Sequence, residues 1–196
     1  MHTMETLRRP PYRCPPETLV TYSQSVSRMP TAADWIDHLD LEPLPEEGGL
    51  YREIYRADES IAADALPQRF EGDRPFSTSI YYLLEPPEFS AFHRIQQEEI
   101  WHFYDGTSCT LHIIDPETGT LSQPMLGRDV RAGEQLQLVI PRGHLFAATV
   151  NDPAGYVLAG CTVAPGFTFA DFEAPARETL VQRYPHHTDL ITQLTR

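Results

Sequence analysis

The chain has 196 residues, of which 41% are hydrophobic and 22% charged, enough for one globular domain with a real core. Its formal net charge of −13 argues against a nucleic-acid partner or an anionic membrane surface, since both require a basic face that displaces counterions. All 15 basic residues are arginine, so Schiff-base chemistry, a phosphate-loop lysine and a lysine general base are excluded.

Residues 1–30 read as a flexible N-terminal tail: RRPPYRCPP is dense in proline, and TYSQSVSRMP shows no sustained apolar period. The opening MHTMETLRRP lacks the apolar core of a signal peptide, and no stretch reaches the length of a membrane span, so a cytoplasmic protein is expected. Cys14, Cys109 and Cys161 show no metal-type spacing and read as reduced thiols.

The domain spans residues 31–196 and opens with a helix. Thr31 caps it, Asp34 sits three residues on, and Trp35, Ile36 and Leu39 form its apolar face. Pro43 ends it, and Pro45 with Gly48–Gly49 turns the chain into the strand LYREIYRA. A procession of short strands rich in β-branched and aromatic residues follows: STSIYYLL, FSAFHRI, EIWHFYDG, CTLHIID, QLQLVIP, LFAATV and YVLAGCTVA. Turn signals separate them (PPE, YDGTS, DPETG, RAGEQ, PRG, NDPAG), and no helical period lies between strands. An all-β sandwich or barrel is expected, closed by the helices ETLVQRY and TDLITQL.

Two segments carry a signature: HRIQQEEIWHFYDG, from His93 to Gly106, and IPRGHLF, from Ile140 to Phe146, with Gly133 upstream. Together they resemble the paired motifs of the cupin superfamily. The phrases PEEGGLYREIYR, STSIYYLL, EFSAFHRI, EEIWHFYDG, IPRG and GCTVAPGFTFADFE resemble its cupin 5 branch over about residues 34–190. The resemblance implies a double-stranded β-helix, or jelly-roll barrel, with ligands held inside it, and it implies a homodimer.

The departures from the motif are informative. Anchored on Gly106, the first histidine position is His93 and the glutamate is Glu99, but the second histidine position holds Ile95 and the third holds Phe146. Two protein ligands do not hold a divalent metal tightly, so no cofactor is expected beyond a weak divalent metal on His93, Glu99 and, through a distorted turn, His144. Strand alternation puts Ile95, Glu99, Trp101 and Phe103 on the face of His93, with His102 and Tyr104 opposite. Tyr51, Glu53 and Tyr55 share a face, as do Ser79, Tyr81 and Leu83, while Phe146 and Cys161 come from the later strands.

A mostly aromatic cavity for a small molecule follows, lined by Tyr51, Glu53, Ile95, Trp101, Phe103, Phe146 and Cys161. His93 and Glu99 are the candidate acid–base pair, with Tyr81 or Tyr51 protonating the opposite face of a substrate, as in a metal-independent isomerase, epimerase, cyclase or lyase. A non-catalytic binding or storage protein is the alternative, marked by His93 and Glu99 fully paired in a closed cavity. A metal-dependent dioxygenase is the third, requiring His144 or His102 as a rescuing ligand. The strand LYREIYRA reads as an edge available to a second copy, with Arg52 and Arg56 expected to face away from Tyr51 and Glu53 and to meet acidic groups across the interface.

Overall fold

Residues 29–196 are described by a computed structural model, so nearly all of the tail expected over residues 1–30 lies outside the described residues. The chain starts with helix α1 (Ala32–Leu39), where Thr31 Oγ1 accepts from the Asp34 amide and the Asp34 carboxylate accepts from the Thr31 amide. This reciprocal cap satisfies two otherwise orphaned donors, as the Thr31–Asp34 spacing predicts.

The strands follow in chain order: β1 (Glu42–Pro43), β2 (Leu50–Arg56), β3 (Ser60–Ile61), β4 (Arg74–Pro75), β5 (Thr78–Leu84), β6 (Ser90–His93) and β7 (Glu99–Gly106). Then come β8 (Cys109–Ile114), β9 (Leu121–Ser122), β10 (Met125–Leu126), β11 (Gln137–Ile140), β12 (Leu145–Val150) and β13 (Val157–Val163). Helices α2 (Arg177–Arg183) and α3 (Thr188–Gln193) close the chain.

Two antiparallel sheets face each other. One has the order β1-β2-β5-β13-β7-β11, and the other β10-β8-β12-β6, with β9 paired to β8. This is the jelly-roll barrel that the sequence pattern and the motif resemblance lead one to expect. Residues paired across antiparallel strands share a face, so the inner surface of the first sheet reads off in rows. One row runs Glu53, Ile80, Cys161, Trp101, Leu138, and the next Arg56, Thr78, Val163, Glu99, Ile140. From the second sheet, His93 lies opposite Phe146, which lies opposite Ile113.

A bulge in β2 overturns one expected facing. The register shifts between Glu53 and Tyr55, so Tyr55 pairs with Ser79 on the outside and Arg56 pairs with Thr78 on the inside. The extra residue flips every side chain beyond it. Arg56 therefore joins Glu53 instead of opposing it, and Arg52 pairs with Asp40 of its own chain at 3.0 Å.

The outer faces are covered by helices. Phe92, Ile114, Leu145 and Ala147 meet Leu180, Tyr184, Ile191 and Leu194 of the C-terminal segment. Each large side chain buried there contributes about 1.5–3 kcal/mol, enough to hold two helices too short to persist alone. Trp35 and Ile36 of α1 pack with Leu83 and Leu158 on the other sheet. Cys109 and Cys161 are buried free thiols. Among the described residues no helix is long and apolar enough to cross a membrane.

Candidate functional site

Between the sheets lies a cavity of about 290 Å³. Its buried part is lined by Glu47, His93, Ile95, Glu99 and Cys161, and its outer part by Tyr51, Glu53, Arg56, Phe167 and Phe169.

His93 ends β6 and is almost wholly buried. Its Nδ1 lies 2.7 Å from the Ala91 carbonyl oxygen, which only accepts, so Nδ1 carries the proton and Nε2 is left free for chemistry. Phe172 stacks against the ring at 5.3 Å between centroids, and Phe146 packs at 4.0 Å on the β12 side. The imidazole is thus clamped with Nε2 toward the Glu47 carboxylate, 3.7 Å away.

Glu47 comes from the turn between β1 and β2. That turn is fastened to β6: the Ala91 amide donates to the Glu47 carbonyl at 2.8 Å, and Ser90 Oγ donates to Glu47 Oε1 at 2.9 Å. The Tyr82 hydroxyl donates to the Gly48 carbonyl at 3.0 Å. Gly48 and Gly49 hold φ of +98° and +75°, and a Cβ on Gly49 would stand 2.6 Å from the Tyr82 hydroxyl. Only glycine passes that close with that backbone.

Glu99 opens β7, 8% exposed and without a cationic partner among the described residues. Burial first, and then the neighbouring Glu47 carboxylate, push its pKa up to about 8, with the Cys161 thiol and the Trp101 indole offsetting only part. Glu99 is therefore a carboxylic acid at neutral pH. Burial together with Glu99 and Glu47 drives the Cys161 thiol far above its usual value, so it stays neutral.

The aromatic wall is a loop after β13 held by a buried ion pair. Arg74 grips Asp171 through Nε at 2.7 Å and a terminal nitrogen at 2.6 Å, and Gln97 Nε2 donates to the same carboxylate at 2.7 Å. Burial alone would raise the Asp171 pKa, but these bonds outweigh it and hold the carboxyl below its ordinary range. Arg94 and Glu173 exchange backbone hydrogen bonds of 2.9 and 3.0 Å, which set Phe172 against His93. At the mouth Arg56 binds Glu53 through two contacts of 2.9 and 2.6 Å and reaches the Phe167 carbonyl at 3.1 Å.

Of the side chains singled out from sequence, His93, Glu99, Tyr51, Glu53, Ile95 and Cys161 line this one cavity. Trp101 and Phe146 do not; they lie in the core behind it, edge-to-face at 6.4 Å. Phe103 borders a separate surface hollow under Arg128. Tyr81 is turned to the outside of its sheet, against Tyr104 at 5.9 Å, so it does not reach a substrate in the cavity. No hydrogen bond or ion pair joins His93 and Glu99; the carboxylate beside His93 is that of Glu47. Glu47, Arg56, Phe167 and Phe172 were invisible as site residues because they come from turns and a bulge, where no period assigns a face.

The donor set does not fit a tightly bound divalent metal. Ile95 and Phe146 place carbon at two of the four ligand positions, and among the described residues no group of three or more His, Cys, Asp or Glu side chains is disposed to hold an ion. His144 is turned away from the cavity toward the Arg142 carbonyl, near Asp115, and does not supply the missing ligand. His102 lies on the outer face beside Gln137.

Comparison with known proteins follows the same lines. The sequence profile of Cupin_5, described as cupin superfamily (DUF985), matches residues 33–174. A crystal structure of a Shewanella oneidensis protein is 40% identical, with a TM-score of 0.77 over 86% of this chain and 99% of its own. A hypothetical protein from Leishmania major is 31% identical, with a TM-score of 0.76 over 85% of this chain and 99% of its own. No curated protein matches the chain.

Proposed function

Since the chain belongs to the cupin 5 family of the cupin superfamily, we propose that its barrel cavity performs metal-independent proton transfer on a small organic molecule, as an isomerase, epimerase, cyclase or lyase does. The observation that carries this reading is a base and an acid facing one cavity without being paired to each other. His93 offers Nε2 as the base, with its tautomer set by the Ala91 carbonyl. Glu99 keeps its proton to about pH 8 and serves as the acid.

In this mechanism a substrate C–H next to a carbonyl approaches His93 Nε2. The imidazole takes the proton, and Glu47, 3.7 Å away, stabilises the imidazolium that forms. Glu99 donates a hydrogen bond, and then its proton, to the oxygen on which negative charge develops. Glu99 thus takes an acid role, and of the two tyrosines the sequence offered for protonating the opposite face, Tyr81 and Tyr51, Tyr51 lines the cavity and Tyr81 does not. The unpaired state of His93 and Glu99 favours this reading over a storage cavity, where the two would neutralise one another.

The test is solvent exchange. The protein is incubated in D₂O with a small-metabolite extract, with and without a chelator, and mass spectrometry looks for species heavier by about one mass unit. Protein-dependent deuterium uptake that disappears in His93→Ala is expected. Uptake that survives His93→Ala, no uptake at all, or uptake that stops on chelation would each overturn it, the second in favour of a binding protein.

We also propose that two copies pair along β2. Five of its seven residues are exposed, Ile54 and Tyr55 among them at 47% and 54%, and beyond the short β1 its outer edge has no partner among the described residues. An exposed, unpaired edge of that kind calls for a cover. Light scattering should give about twice the chain mass of 22.3 kDa, and a monomer mass refutes the pairing.

A further inference from the structure

We propose that the cavity accepts a small organic cation, an ammonium, amidinium or guanidinium group on an apolar body, with the positive end set between Glu47 and Glu99. This rests on the cavity being the working site and adds the class of molecule that enters it.

Three carboxyls line the cavity (Glu47, Glu53 and Glu99) against two basic side chains, Arg56 and His93. Arg56 is taken by Glu53 through two contacts of 2.9 and 2.6 Å. His93 has Glu47 as its neighbour at 3.7 Å. Glu99, 92% buried by its 8% exposure, is the carboxyl left over. It meets that surplus by keeping a proton. An anionic ligand would bring its charge against the Glu47 carboxylate with Arg56 already engaged by Glu53, which is unfavourable in a desolvated site. A cationic ligand supplies the missing countercharge.

The walls agree. Tyr51, Phe167, Phe169 and Phe172 present aromatic surface, Phe167 and Phe169 meeting edge-to-face at 5.4 Å. Aromatic faces carry negative potential and attract cations. The volume of about 290 Å³ holds a body of one ring with its charged group. On binding, the cation pairs with the Glu47 carboxylate and donates to the carbonyl oxygen of the Glu99 carboxyl, which keeps its proton.

The test uses three probes of nearly equal shape in the presence of a chelator: benzamidine as the cation, benzamide as the neutral form and benzoate as the anion. Calorimetry near pH 7 should show benzamidine binding at least about tenfold more tightly than benzamide, with no detectable benzoate binding. Glu47→Gln, a neutral variant of the same shape, should cut the preference to less than about threefold, whereas Glu99→Gln, which keeps an acceptor oxygen, should retain it. Benzoate binding as tight as benzamidine, equal binding of benzamidine and benzamide, or no benzamidine binding up to about 10 mM would overturn the proposal. These outcomes are independent of deuterium exchange: exchange without cation preference sinks the ligand class alone, and preference without exchange sinks the proton-transfer reading alone.

Discussion

Replacing Glu99 by glutamine keeps the size and hydrogen-bonding shape of the side chain and removes its titration. In the folded chain Glu99 holds its proton to about pH 8, against 4.5 for an ordinary glutamate. Burial and Glu47 oppose its ionisation, and the other groups at this spot are His93 on β6 and the neutral Cys161 on β13. Unfolding between those pH values releases a proton, because the unfolded state binds fewer. The contribution is therefore complete below pH 4.5 and is lost as pH rises through about 8. At about 1.4 kcal/mol per pH unit, the loss reaches about 3 kcal/mol at pH 7 and about 5 kcal/mol above pH 8. Glu99→Gln carries no such loss. Urea unfolding followed by circular dichroism at about pH 5, 7 and 9 should show the variant close to the parent at the lowest pH and increasingly more stable above it, by about 3 and then about 5 kcal/mol. A gap between the two proteins that stays constant across that range refutes the reasoning, since it means that the buried carboxyl is solvated or paired.

Asp171→Ala leaves Arg74 buried without its partner, and unfolding should report a loss of about 3–5 kcal/mol; a loss below about 1 kcal/mol would mean that the loop is held by its aromatic packing instead. Combining Ile95→His with Phe146→His restores donors beside His93 and Glu99. Metal analysis should then find about one equivalent of a divalent ion, against less than about a tenth in the parent, and equal contents would refute the ligand argument. Gly49→Ala forces a Cβ toward the Tyr82 hydroxyl in a left-handed conformation, and should cost about 1–3 kcal/mol and displace the turn that carries Glu47. A variant as stable as the parent would show that the turn is not seated on Tyr82.

The strands were legible because their alternation is strong: EIWHFYDG, STSIYYLL and YVLAGCTVA all form strands close to where the pattern puts them. The capping box at Thr31 and Asp34 fixed the first helix for a local reason, as did the turn signals. The candidate site was only half legible. His93, Glu99 and Cys161 sit on regular strands, and Ile95 follows the end of β6 by two residues, so alternation put them in one cavity. Phe103, Trp101 and Phe146 sit on the same faces, yet they lie too far along the barrel or too deep in the core, since a face does not specify depth. Tyr55 and Arg56 changed sides because a single extra residue in β2 inverts the alternation. Nothing in LYREIYRA marks that bulge.

Glu47 is the more instructive omission. Its neighbours PEEGG read as a polar turn, and a glutamate there is expected to be solvated. What brings it inside is tertiary: the turn is tied to Ala91 and Ser90, and the Gly48–Gly49 pair lets the backbone pass over Tyr82. With Glu47 in place, the two ionisable residues of the motif settle differently. A buried carboxyl beside another carboxylate keeps its proton, whereas a histidine whose Nδ1 is bound and whose Nε2 faces that carboxylate is poised to accept one. In the proposed mechanism one added carboxylate therefore favours the acid role of Glu99 and faces the imidazolium formed on His93. Glu47→Gln should weaken both together, lowering the Glu99 pKa and slowing deuterium uptake at His93. The two are read separately by the pH dependence of stability and by the rate of deuterium uptake, and a change in only one of them would show that Glu47 does not couple them.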